Sequence, residues 1–253
     1  LRNVWPVHSV EEFNQMVGQG IHNLGRRFSG YGSRSSLLLA STIAQFTEYY
    51  GAHNLDKTRP YAGIPELLAR LKEQGVTLAV YSNKADGFSR EIVEHFFPGV
   101  FQLVRGQIKG IPVKPDPAGI HALLRDLAVE PAETLFVGDS DVDVYTGHNG
   151  GLTVCGVTWG FRGRQELEAA GADHLADTPE ALGDYILARA HKRRRRGSPS
   201  PFAFTGSPGC SSPAGRRTAA APHRRRPWPA PPPAARWTGP APPWPPSGPP
   251  GRQ

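Results

Sequence analysis

The run Thr134-Leu135-Phe136-Val137-Gly138-Asp139-Ser140-Asp141-Val142-Asp143 constrains the fold most, because an uninterrupted apolar stretch ends in a glycine and three carboxylates. Leu135 to Val137 read as a buried strand of a parallel sheet, since a strand covered on both faces needs apolar residues at successive positions. Gly138 marks its end. Asp139 and Asp143 follow at a spacing that brings both to one side of a strand-to-helix turn, where open α/β sheets place their ligands. Carboxylates gathered there repel one another unless a cation joins them, and oxygen-only ligands suit Mg²⁺. Asp139 and Asp143 are therefore expected to form half of a metal site.

From residue 60 onward the pattern alternates helix and strand, which predicts an α/β fold with a doubly wound parallel sheet. Helices are expected over 64–74, 88–97, 117–127 and 179–190. Strands are expected over 76–81, 101–104, 134–137 and 152–157, with a last edge strand at 172–176. Before this, residues 9–50 read as helical. Ser9 with Glu12 forms a capping box, Val10, Phe13, Val17, Ile21 and Leu24 recur at helical spacing, and Gly18 and Gly20 divide the stretch. The resulting organisation is a helical segment over 1–58, an α/β core over 59–190 and a tail over 191–253.

The net charge of +7 belongs to the tail. Residues 1–190 hold 17 Lys and Arg against all 22 Asp and Glu, while residues 191–253 hold 12 Lys and Arg and no acid. The tail also carries 17 of the 26 prolines and no apolar periodicity, so it is expected to be disordered with polyproline II character. It reads as a solvated tail, as a basic tether for nucleic acid or a membrane with Trp228, Trp237 and Trp244 as stacking groups, or as the product of a shifted reading frame in GC-rich DNA. The absence of acids favours the last. Two cysteines, Cys155 and Cys210, exclude a disulfide framework and make a reducing cytoplasm the expected compartment. No run approaches the length of a membrane helix and no signal peptide opens the chain. Leu1 in place of Met is compatible with a fragment.

Two further segments carry chemistry. Ser82-Asn83-Lys84 follows the strand expected to end at Tyr81, where a hydroxyl and free amides ahead of a helix can bind a phosphate oxygen. Lys114-Pro115-Asp116-Pro117 places a lysine just before a helix, able to neutralise a phosphoryl group. Singly, these segments read as a polar turn and a helix start, and the acidic run as a solvated or calcium-like loop, although it lacks the glycine and distant glutamate of an EF-hand. Together, Ser82, Asn83, Lys114, Asp139 and Asp143 make a phosphoryl-transfer pocket. The nine histidines show no zinc spacing. Trp159, Phe161 and Arg162 either line the pocket or, as the favoured reading, sit in core packing or an exposed loop, and Gly18, Gly20 and Arg27 either punctuate helices or read a substrate carboxylate.

Tyr81-Ser82-Asn83-Lys84, Lys114 to Pro117 and Val137 to Asp143 resemble the second, third and fourth motifs of the haloacid dehalogenase superfamily. Val17-Gly18-Gln19-Gly20-Ile21, Gly156 to Arg162 and Ala170 to His174 are similar to the cap and C-terminal core of its phosphoglycolate phosphatases. The resemblance covers residues 8–185. It implies a cytoplasmic, Mg²⁺-dependent phosphatase acting on a small phosphorylated metabolite, most like 2-phosphoglycolate, with a helical cap of which residues 1–58 are part. Ser82 would bind the phosphoryl group with Asn83, Lys114 would stabilise the intermediate, Asp139 would ligate Mg²⁺, and Asp143 would support it directly or through water.

The family also has a strand ending in Asp-x-Asp-Gly-Thr that supplies the nucleophile and the general acid, and no such strand occurs in these 253 residues. The chain by itself is expected to be inactive. In the family that strand lies between the two strands that here end at Tyr81 and Val137, so either a gap or direct closure of these strands is expected. The alternatives are a pyrophosphate, nucleotide or sugar-phosphate enzyme of the same fold, and a non-catalytic protein whose tail binds nucleic acid.

Overall fold

A computed structural model describes residues 6–29 and 36–195. Three helices come first: α1 (Val10–Met16), α2 (Ile21–Ser29) and α3 (Ser36–His53). The capping box forms, with Glu12 N–H donating to Ser9 Oγ at 3.1 Å and Ser9 N–H donating to Glu12 Oε2 at 2.9 Å, so two orphan donors at the start of α1 are satisfied. Gly18 and Gly20 adopt φ of 107° and 81° between α1 and α2, a region glycine enters without a Cβ penalty.

The alternating part follows as α4 (Ile64–Glu73), β1 (Ala79–Ala85), α5 (Asp86–Phe96), β2 (Leu103–Gln107), α6 (Ala118–Leu127), β3 (Leu135–Gly138), α7 (Asp141–Asn149), β4 (Thr153–Val157), α8 (Gly163–Ala169), β5 (His174–Ala176) and α9 (Pro179–Arg195). Helices lie on both faces, and the period of two along β4 distributes its side chains between them. Val154 points into a core with Ile120, Leu123 and Leu124 of α6, Phe136, Val144 and Leu167. Cys155 and Val157 point the other way, against Leu67 and Leu71 of α4 and Leu182 and Leu187 of α9. Burial pushes the Cys155 thiol up to about 11, leaving it protonated at neutral pH.

The sheet is divided. β1 pairs in parallel with β2, while β3, β4 and β5 form a second parallel sheet, and the two share no ladder among the described residues. Of the two arrangements expected when no strand lies between Tyr81 and Val137, the gap is the one found. An apolar slot of about 500 Å³ separates β1 from β3.

The first two strands also begin later than their apolar runs suggest. Val76 and Leu78 are packed in the core, but Leu78 N–H donates to the Gln102 side chain at 2.8 Å rather than to a backbone carbonyl. Gln102 N–H donates in return to Leu78 O at 2.9 Å, so this rung is half backbone and half side chain, and regular pairing starts at Ala79 with Leu103. Helix α9 continues past the expected end at residue 190 to Arg195. The expectations for residues 196–253, including Cys210 and the three tail tryptophans, lie outside the described residues.

Candidate phosphoryl-transfer site

Ser82, Asn83 and Lys84 were expected in a turn after the strand and instead lie within β1. The pairing explains both views. Tyr81 is opposite Arg105 and Ala85 opposite Gln107, so four steps on β1 face two on β2 and the Ser-Asn-Lys segment bulges out of the ladder. Such a bulge re-aims side chains near functional sites. Ser82 Oγ accepts the Lys84 N–H at 3.1 Å, which holds the hydroxyl beside the bulged backbone.

Asn83 is only 6% exposed. Its Oδ1 accepts the Lys114 N–H at 2.7 Å, and its Nδ2 donates to Lys114 O at 3.2 Å and Gly18 O at 2.8 Å. With both amide protons engaged, Asn83 is a bracket that fixes the Lys114 loop against β1, and this differs from the phosphate-binding role expected for it. The α6 start is also fixed locally, because Asp116 Oδ1 accepts the Ala118 N–H at 2.8 Å.

Lys114 crosses from this bracket to the end of β3. Its Nζ donates to Asp143 Oδ1 at 2.7 Å, with the two side chains 12% and 9% exposed. The ammonium lies 5.8 Å from the Tyr81 ring centroid and 6.0 Å from that of Phe136, within reach of cation–π attraction from both sheets. The second Asp143 oxygen accepts Ser140 O–H at 2.8 Å and Asp139 N–H at 3.2 Å. Asp143 therefore anchors the first turn of α7 and the cation together.

Asp139 is placed differently. Its Oδ2 accepts the Phe161 N–H at 2.9 Å, the one hydrogen bond its carboxylate receives from another residue among the described residues. Burial pushes its carboxyl above the ordinary range, the Asp143 charge adds to this, and the Phe161 N–H and Lys114 oppose it. For Asp143 burial also acts upward, but the Lys114 charge and the hydrogen bonds from Lys114, Ser140 and Asp139 outweigh it and hold the carboxyl below the usual range. Two carboxylates four residues apart are thus driven in opposite directions, as in sites that assign them different tasks.

Two glycines permit this approach. A Cβ on Gly138 would lie 2.2 Å from the Asp143 Cβ, and one on Gly160 would lie 2.2 Å from the Asp139 Cβ and Oδ2. Gly160→Ala is expected to destabilise the chain by about 1–3 kcal/mol, the usual range for overpacking. Urea unfolding checks this, and an unchanged midpoint would contradict the contact.

Other residues were missed or read differently. Arg162 lies in the loop before α8, one of the places expected for it, and its guanidinium reaches the helical segment, donating to Gln15 Oε1, to Gln15 O at 3.3 Å and to Val17 O at 3.3 Å. An ion pair with Glu166 at 3.5 Å braces it. The sequence offers no periodic signal for a contact between residues so far apart. Arg162→Ala is expected to speed amide exchange over residues 10–17 while leaving β4 protected; unchanged exchange in α1 would show the latch to be idle. Arg27 is engaged within the helical segment, donating to Gln19 Oε1 at 2.6 Å and Gln15 O at 3.2 Å, which favours its structural reading. Lys84 donates to Tyr50 Oη, and Tyr50 meets Phe88 edge to face at 5.2 Å, tying α3 to the core. Trp159 packs in the second core, and Phe161 is exposed.

A divalent cation fits part of this arrangement. No group of three or more His, Cys, Asp or Glu able to hold a metal exists among the described residues. Mg²⁺ uses only one or two protein carboxylates and keeps several waters, so Asp139, with its buried and weakly satisfied carboxyl, suits one ligand position. Asp143 is already committed through both oxygens, which fits the indirect support role better than a direct bond.

The haloacid dehalogenase-like hydrolase family profile matches residues 3–157. The phosphoglycolate phosphatase of Rhodospirillum rubrum is 32% identical over 181 residues, covering 68% of this chain and 74% of that protein. That of Vibrio parahaemolyticus is 29% identical over 192 residues, covering 74% and 84%. Among solved structures, a candidate phosphoglycolate phosphatase from Lactobacillus delbrueckii superposes with a TM-score of 0.65 at 30% identity, over 71% of this chain and 83% of that one. No helix among the described residues is long and apolar enough to cross a membrane. These matches agree with the parallel α/β core, the lysine bridging two strand ends and the glycine-enforced carboxylate pair: the chain belongs to the haloacid dehalogenase-like hydrolases.

Proposed function

We propose that these residues form the greater part of a Mg²⁺-dependent phosphatase site for a small phosphate monoester, and that the ester is 2-phosphoglycolate. The observation that carries the reading is the Lys114–Asp143 ion pair, which places a nearly buried cation between the end of β1 and the end of β3. A phosphoryl group entering there meets the Ser82 hydroxyl from one strand and the Lys114 ammonium from the loop. Both interactions favour charge that develops on the transferring oxygens. Asn83 fixes the backbone of Lys114, and Asp143 aims its Nζ. When bound at Asp139, Mg²⁺ would neutralise phosphoryl charge.

The nucleophile is not among these side chains. Asp139 and Asp141 form an Asp-x-Asp pair only in spelling, since Asp141 opens α7 with its own Oδ1 accepting the Val142 N–H at 2.7 Å. Residues 1–253 alone are accordingly inactive in this proposal, and the aspartyl-phosphate forms on a strand supplied with an Asp-x-Asp end. The named phosphoglycolate phosphatases support the substrate assignment. A substrate comparison tests it: a chain extended at its N-terminus by a strand ending in Asp-x-Asp-Gly-Thr is expected to favour 2-phosphoglycolate over pyrophosphate, nucleotides and sugar phosphates in kcat/KM. Equal or better turnover of any of these would reassign the substrate.

A further inference from the structure

No residue of α1 is buried, and Val10 in its first turn is 72% exposed. A helix of seven residues is also too short to hold by itself. Its last turn carries no Lys, Arg or His, so its final carbonyls depend on groups from elsewhere. Two arginines supply them. Arg27 of α2 donates to Gln15 O at 3.2 Å and Met16 O at 3.5 Å. Arg162, from the loop after β4, donates to Gln15 Oε1 and to Gln15 O and Val17 O at 3.3 Å each. A cation at a helix C-terminus is favoured by its hydrogen bonds and by the helix dipole. Arg162 is thus a C-terminal cap for α1 carried by the α/β core.

The backbone that carries Arg162 also holds Asp139. Phe161, one residue earlier, is the donor to Asp139 Oδ2 at 2.9 Å. Its ring is 54% exposed, so its own packing does little to fix that N–H, and Gly160 and Gly163 on either side bring no side chain to anchor the loop. Arg162 brings one. Its side chain is 12% exposed, and besides its acceptors in the helical segment it meets Glu166 Oε1 at 3.5 Å. The same Glu166 oxygen accepts the Asp141 N–H at 3.3 Å, so the loop and α8 grip the acidic segment at both Asp139 and Asp141.

We propose that Arg162 is a positioning residue that couples α1 to Asp139: by capping α1 it fixes the Phe161 N–H against the carboxylate, so the seating of α1 and the orientation of Asp139 rise and fall together. A carboxylate pinned through Oδ2 presents Oδ1 in one direction. Ligands of Mg²⁺ need such orientation, because the ion tolerates little departure from octahedral geometry and the groups behind a ligand set its aim. That use of the coupling rests on the phosphatase reading. The coupling itself is measured without metal or substrate, so its failure and the failure of that reading are separate results.

The test perturbs α1 at its first turn, away from Arg162. Ser9→Ala removes the capping box and frays the helix. In amide NMR spectra of the full chain the Phe161 peak is then expected to move, and its exchange to speed at least about threefold. Neither change is expected when Ser9→Ala is combined with Arg162→Ala, since the connection is already cut. Coupling is reciprocal. Asp139→Ala, which removes the acceptor of the Phe161 N–H, is therefore expected to speed exchange over residues 10–17 by a similar factor, whereas Asp139→Asn, which keeps an acceptor, is not. Should Ser9→Ala leave α1 protected, Asn14→Pro breaks the helix outright and takes its place. Should Arg162→Ala not fold, Ser9→Ala and the two Asp139 variants decide with Arg162 in place. A Phe161 amide that ignores the fraying of α1, a response undiminished in Arg162→Ala, or equal α1 exchange in Asp139→Ala and Asp139→Asn would overturn the proposal.

Discussion

Asp143→Ala is expected to lower the unfolding free energy by about 3–5 kcal/mol, the range for removing one partner of a buried ion pair. Typical domains have only about 5–15 kcal/mol of stability, so a large share would be lost. The reason is what remains: Lys114 would keep its charge in a nearly buried position, and Ser140 O–H and Asp139 N–H would lose their shared acceptor. The pH dependence carries the same sign. Asp143 binds its proton more weakly folded than unfolded, so its contribution is fully present above the ordinary carboxylate pKa and is lost as pH falls through the depressed folded value. Thermal unfolding of the unaltered chain across acidic pH should show that loss, and the alanine variant should show less of it. A variant as stable as the parent would mean that Lys114 finds water or another carboxylate.

Asp139→Asn is expected to act in the opposite direction on stability and strongly on activity. The folded-state pKa of Asp139 is raised, chiefly by burial, so its ionisation opposes folding. That penalty is absent below the unfolded pKa and complete once pH exceeds the folded one. Asparagine removes it while its side-chain oxygen can still accept the Phe161 N–H, so the metal-free variant should melt higher than the parent at neutral pH. In a chain supplied with the Asp-x-Asp strand, the same substitution is expected to reduce kcat by about 10² or more, since loss of one transition-state electrostatic group commonly costs that much. A lower melting temperature, or unimpaired turnover, would remove Asp139 from the role proposed for it. The pairing of opposite signs separates a residue kept for chemistry from one kept for the fold.

The elements that could be read from the sequence are those whose signal is local. The apolar run of β3, the capping box of α1 and the helical spacing of α4 and α6 each follow from neighbouring residues, and each formed near its expected limits. The start of β1 was misjudged because apolar character at Val76 and Leu78 reports burial, while ladder formation depends on Gln102 in another segment. Asn83 shows the same limit. Its residue type suits a phosphate turn, but its three partners are Gly18 and the two backbone groups of Lys114, which only the fold brings to it. Arg162, whose partners lie in α1 and the following turn, was illegible for the same reason. By contrast Gly138, which was read as the end of a strand, turned out also to make room for Asp143. Distances in sequence, rather than weak propensities, mark what could not be foreseen.

Ser82, Lys114, Asp139 and Asp143 are proposed to form one phosphoryl-transfer pocket that a strand ending in Asp-x-Asp completes. Phosphate release from 2-phosphoglycolate, measured in Mg²⁺ for residues 1–253 and for the same chain extended by a strand ending in Asp-x-Asp-Gly-Thr, tests it most directly. Turnover is expected from the extended chain, with its disappearance when Mg²⁺ is chelated, and none from residues 1–253 under either condition. Turnover by residues 1–253 at the rate of the extended chain, or an extended and folded chain that releases no phosphate, would contradict it.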